Sequence, residues 1–157
     1  MSSESNAQET PDPIDLSDES PNSESRRTEA LRLAVESARL CAHTHCHQIV
    51  ALDVRGLSSI TDYFVIATGT SPRQMRTVCD ELVELAERLG YKCHTRSGYE
   101  GETWIAVDLI DVVVHIFSQD ARFYYELDNL WAEGKRIDWQ TAPHGEAVSA
   151  QSATAGA

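Results

Sequence analysis

The sequence predicts a mixed α/β (α+β) fold in which a sheet of about five strands is flanked by helices. Segments with apolar residues at helical spacing alternate with short, β-branched apolar runs. The last three of these runs are joined by connections too short for a crossover, which makes that trio antiparallel. One stretch, residues 27–139, carries nearly all the large apolar side chains of the 157-residue chain, as a single domain of ordinary size requires.

Residues 1–26 precede that stretch as an acidic tail, expected to be disordered. Residues 1–25 hold seven acids, no lysine or arginine, and few large apolar groups, so they cannot offset the cost of ordering a backbone. From Arg27, small or apolar residues recur at Leu31, Ala34, Val35, Ala38, Cys41 and Ala42, which predicts a helix over 28–46. Residues 48–54 (QIVALDV) and 62–68 (DYFVIAT) read as strands. The second is apolar nearly throughout and is expected to be covered on both faces.

Gly69-Thr70 leads into a helix whose start is written locally. Ser71 caps it, Pro72 suits its first position and Gln74 completes a capping box. Its buried stripe runs from Met75 to Leu89, and Gly90 closes it with a left-handed cap. Strands follow at 91–96, 103–109 and 112–117. A last helix, capped by Ser118 or Asp120, is expected through Ala132, with Phe123, Leu127, Leu130 and Trp131 as its core stripe and Tyr124 off it. Residues 140–157 read as a second disordered tail.

The net charge of −12 argues against a polyanion-wrapping protein, which needs a basic stripe. No run approaches the ~18 apolar residues of a membrane span, and the first residues do not form a signal peptide. A soluble, cytoplasmic protein without a membrane partner is expected. The four cysteines form no Cys-x-x-Cys pair and fall within helices and strands, so buried or half-buried reduced thiols are expected.

Three constellations compete as carriers of chemistry. Cys41, His43, His45, Cys46 and His47 crowd one helix end. They either pinch a zinc ion or form a helix C-terminus at which histidines meet the negative dipole. Ser71, behind a strand and before a helix, is either a plain cap or part of an anion site. His115 is the one polar residue in an apolar strand, with Asp108 and Asp111 flanking the preceding turn. It reads as a core or interface histidine, or as a general base beside its orienting carboxylate. No nucleophile signature and no paired acidic magnesium motif occurs. The last third of the chain is rich in aromatics, and Trp104 and Tyr124 are candidates for exposed interface anchors.

Leu52-Asp53-Val54, Asp62 to Ser71, Trp104 to Asp108, Asp111 to Phe117 and Arg122 to Trp131 together resemble the ribosomal silencing factor family, also called Iojap-like. The resemblance covers about 29–133. It implies a nucleotidyltransferase-like fold lacking the catalytic carboxylates, and a non-enzymatic factor without a cofactor or metal. Such a factor binds the large ribosomal subunit at its intersubunit face, through ribosomal protein fourteen of that subunit with a minor contact to ribosomal RNA. There it blocks joining of the small subunit and represses translation when nutrients are scarce. When free, it is a homodimer. On this chain the implied partner-binding residues are Trp104, Asp108, Leu109, Asp111, Val113, His115 and Tyr125. The alternative is a nucleotidyltransferase-like enzyme using the Ser71 helix terminus with Asp108 and Asp111.

The chain departs from the family pattern at two places. Ser97-Gly98 stands where Glu-Gly is usual, and Ile110 stands where the turn before Asp111 usually has glycine. Because a β-branched residue resists positive φ, a wider turn is expected there.

Overall fold

A computed structural model describes residues 21–126, 129 and 132–141. The order is α1 (Pro21–His43), β1 (His47–Asp53), β2 (Tyr63–Thr68), α2 (Pro72–Arg88), β3 (Thr95–Ser97), β4 (Trp104–Asp108), β5 (Val112–Phe117), α3 (Gln119–Tyr125) and β6 (Lys135–Arg136). The six strands form one mixed sheet in the order β3-β4-β5-β2-β1-β6. Only β2 and β5 pair in parallel, Tyr63 with Val112 through Thr68 with Phe117, while the other neighbours are antiparallel. The predicted class and the antiparallel trio therefore hold, with six strands in place of about five.

The strand pattern divides the side chains between two layers. Ala51, Tyr63, Val65, Ala67, Ile105, Val107, Val112, Val114 and Ile116 face α1 and α2 and make the main core with Leu33, Val35, Met75, Val78 and Leu82. Val50, Leu52, Phe64, Ile66 and Phe117 face the opposite way, where Ala121 of the short α3 joins them. Each residue of β2 is buried, because this central strand is covered from both sides.

α2 begins as its sequence dictates. The Gln74 amide donates to Ser71 Oγ at 3.0 Å. The Gln74 side-chain carbonyl accepts from Thr70 N at 2.9 Å, one residue before the cap, and Gly90 sits at φ +88.

Elsewhere the boundaries move, and each shift has a physical cause. α1 starts at Pro21, so residues 21–26 are helical rather than part of a tail. Pro21 suits a first helical position, Glu24 sits in the positively polarised first turn, and Thr28 Oγ1 donates back to Glu24 O at 3.0 Å. Residues 24–29 are exposed, so hydrophobic periodicity carries no sign of this extension. The helix ends at His43 rather than at 46. His45 adopts φ +73, with His45 N donating to Ala42 O at 3.1 Å and Cys46 N to Cys41 O at 2.9 Å, the paired bonds of a Schellman closure.

The expected strand 91–96 shrinks to Thr95–Ser97. β4 supplies partners only as far as Asp108, and the chain turns away beyond it. α3 stops at Tyr125 because Glu126 is left-handed at φ +48, so no single helix runs to Ala132. That short helix buries Ala121 and Arg122, and Phe123 is 82% exposed instead of in the core. Leu127, Leu130 and Trp131 lie outside the described residues, as do residues 1–20 and 142–157 of the two expected tails.

The turn between β4 and β5 is tight, not wide. Leu109 N donates to Val112 O at 2.8 Å, and Asp111 N reaches back to Leu109 O at 3.0 Å. Ile110 takes φ +77, a conformation costly for a β-branched residue. The Asp108 carboxylate stabilises the turn by accepting from Ile110 N at 2.8 Å.

Candidate interaction face

The side chains implied by the resemblance are sorted by strand parity. Along β4, Ile105 and Val107 point to the helix layer, and Leu109 beyond the strand continues that row. Trp104, Ala106 and Asp108 point away from it. On β5, Val113, His115 and Phe117 share the outward face, and Asp111 precedes them in phase. Register then sets Trp104 beside Phe117, Ala106 beside His115 and Asp108 beside Val113. Leu109 has no exposed surface and belongs to the main core, so its place among partner-binding residues is corrected. The other six lie on or beside one face.

Aromatic rings knit this face together. The Trp104 ring lies 4.9 Å from Phe117, 4.9 Å from Tyr125 and 5.7 Å from His115, centroid to centroid. Phe64 of β2 meets His115 edge-on at 5.2 Å. Tyr125 leans on Tyr124 at 5.0 Å, and Tyr124 is 78% exposed. Phe64 and Tyr124 thus join the face without having been implied by the resemblance. The β2–β5 register places Phe64 there, but a parallel register is not legible before the sheet is assembled. Tyr124 does have a sequence signal, its position off the expected helical stripe.

His115 is held neutral. Burial pushes its pKa down to about 4. Trp104 Nε1 donates to His115 Nδ1 at 3.0 Å, which requires the ring proton to sit on Nε2. Its hydrogen bond therefore comes from an indole, not from an orienting carboxylate.

The edge of the face is acidic. Asp108 and Asp111 bracket the tight turn, and Asp111 O accepts from both Asp62 N and Tyr63 N at 3.1 Å. Burial, reinforced by the neighbouring Asp111, raises the Asp62 pKa.

The other candidate chemistries come apart in the fold. Cys41 and Cys46 are buried while His43, His45 and His47 are exposed. Among the described residues no group of three or more His, Cys, Asp or Glu side chains could hold a metal ion. Cys79 is buried and Cys93 half-buried, as expected for thiols without a disulfide framework. Ser71 Oγ is engaged in capping. No helix among the described residues is long and apolar enough to cross a membrane.

A family model described as ribosomal silencing factor during starvation matches residues 27–157. The chain is 37% identical over 110 residues to a Halalkalibacterium halodurans protein named ribosomal silencing factor RsfS, covering 70% of this chain and 92% of that one. It is 31% identical over 97 residues to a mouse protein named mitochondrial assembly of ribosomal large subunit protein 1, covering 59% of this chain and 42% of the mouse protein. A crystal structure of a Chromobacterium violaceum protein is similar at TM-score 0.60 and 29% identity, covering 78% of this chain and 92% of that chain.

Proposed function

Because this chain belongs to the ribosomal silencing factor family, we propose that it docks its aromatic face on a protein of the large ribosomal subunit, ribosomal protein fourteen, at the intersubunit surface. There it blocks joining of the small subunit and represses translation under nutrient limitation. The observation that carries this reading is the ring array of Trp104, His115 and Tyr125, with Trp104 and His115 partly buried and Tyr125 exposed, backed by Phe64 and Phe117 and edged by Asp108 and Asp111. Trp and Tyr supply large contact area for little loss of side-chain freedom, and an acidic edge suits the basic surface of a ribosomal protein. The names of the relatives support the ribosome as the partner, and that of the mouse protein the large subunit. In the absence of ribosomes the same apolar face pairs two copies as a homodimer.

Co-sedimentation with purified large subunits tests the proposal. Trp104→Ala is expected to weaken binding by roughly 2 kcal/mol or more, since truncation of a desolvated interface aromatic typically costs that much. A folded Trp104→Ala variant that co-sediments like the wild type removes this face from the site. Wild-type protein that binds large subunits without preventing their association with small subunits overturns the anti-association role.

A further inference from the structure

The Schellman closure of α1 places two thiols in a special relation. Its first and last paired positions are Cys41 and Cys46, the positions at which such a motif brings two side chains into contact. The bond from Cys46 N to Cys41 O, 2.9 Å long, together with standard covalent lengths, caps the Cα separation at about 7 Å, near the upper end of the range a disulfide spans. Both side chains are buried.

The two thiols are chemically unequal. A hydrogen bond from Cys41 holds the Cys46 pKa below its ordinary value, with Gln74 and Thr44 acting the same way against the opposing effect of burial. The same contact with Cys46, together with burial, pushes Cys41 well up. Gln74 Nε2 lies 3.5 Å from Cys46 Sγ and also donates to Thr44 O at 2.7 Å, so the amide is fixed against the sulfur. That side chain also lines a surface cleft of about 440 Å³ together with His43, Thr44, His45, Ser71, Arg73 and Thr77. Cys46 is thus linked to the cleft through the Gln74 amide, a residue of the first turn of α2.

We propose that Cys46 and Cys41 are an attacking and resolving thiol pair, a modification site that takes a peroxide entering through this cleft. The Cys46 thiolate attacks one peroxide oxygen, an S–O bond forms, the O–O bond breaks and one water leaves. Cys41 then loses its proton and attacks the Cys46 sulfenic acid, the S–S bond forms, the S–O bond breaks and a second water leaves. Two thiols give up two electrons and two protons, and hydrogen peroxide is reduced to two waters. The product ties the last turn of α1 to the first residues leading into β1.

The full chain treated with hydrogen peroxide at neutral pH, alkylated and digested with trypsin tests this directly, because both cysteines fall in the single peptide spanning residues 40–55. That peptide is expected to lose two hydrogens and to resist alkylation before Cys79 or Cys93 is consumed. Cys41→Ser is expected to accumulate a sulfenic acid on Cys46 that dimedone traps, and Cys46→Ser to leave Cys41 reduced. The proposal fails if Cys93, the half-buried thiol, is consumed first, or if the peptide keeps two alkylatable thiols. Oxidation of Cys41 in a folded Cys46→Ser variant overturns it as well. The wild-type peptide map decides the matter even if a serine variant does not fold.

Discussion

At the scale of single residues, His115 and Ile110 each store a measurable cost. His115 titrates near 4 in the fold against about 6.5 when exposed. Below the ordinary value the unfolded chain binds a proton that the folded one refuses. Its contribution is therefore fully present above about pH 6.5 and is lost as pH falls toward 4. Glutamine can still accept from the Trp104 indole but does not titrate. His115→Gln is expected to remove roughly 3 kcal/mol of pH-dependent stability difference across that window, read by urea denaturation at a series of pH values. A variant with the same pH slope as the wild type would refute the assignment. Ile110 holds φ +77 while 51% exposed. Ile110→Gly is expected to raise stability by about 1 kcal/mol, since glycine tolerates this conformation and little packing is lost. A loss of stability would show that the isoleucine side chain outweighs the strain. The sequence marked the position as discordant but not the outcome, because sheet pairing on both sides overrides the preference of a single residue.

The elements were legible wherever their own residues carried the signal. Ser71, Pro72 and Gln74 announce α2, and its cap closes as expected. Ser71→Ala should cost about 1 kcal/mol of stability, measured as a fall in denaturation midpoint without a change in slope, and an unchanged midpoint would deny the cap any energetic role. β1, β2, β4 and β5 likewise follow from apolar runs. What stayed hidden depends on partners distant in sequence. β6 is two residues long and exists only because Lys135 and Arg136 reach Asp53 and Leu52. The parity that sends Leu109 inward and Trp104 outward needs the β4–β5 register to be read with certainty. α3 has helix-forming residues beyond Tyr125, but the left-handed Glu126 ends it, and Phe123 stands exposed on the short helix that results. Removing that exposed ring by Phe123→Ser is expected to leave stability within about 0.5 kcal/mol, checked by thermal melting. A larger fall would mean that the ring packs against a neighbour.

On the scale of the whole molecule, one sheet carries helices α1 and α2 on one side, and on the other, among the described residues, the seven-residue α3 beside the aromatic face. If that face pairs two copies, light scattering should find a dimer at tens of micromolar, an order-of-magnitude choice for weak association, and Trp104→Ala should shift it toward monomer. A monomeric wild type would reject the pairing. The parallel β2–β5 seam at the centre of the sheet bears on the birth of the molecule on the ribosome. Its strands are separated by α2, β3 and β4, so Tyr63 waits for Val112, about fifty residues later in the chain, before the seam can close. Loop-closure entropy must be met before that pairing gives anything back. A nascent chain paused before β5 leaves the exit tunnel has α1, β1, β2 and α2 but neither Phe117 nor His115 in register. It therefore has no assembled aromatic face, and on the proposed reading nothing with which to engage the ribosome that is making it.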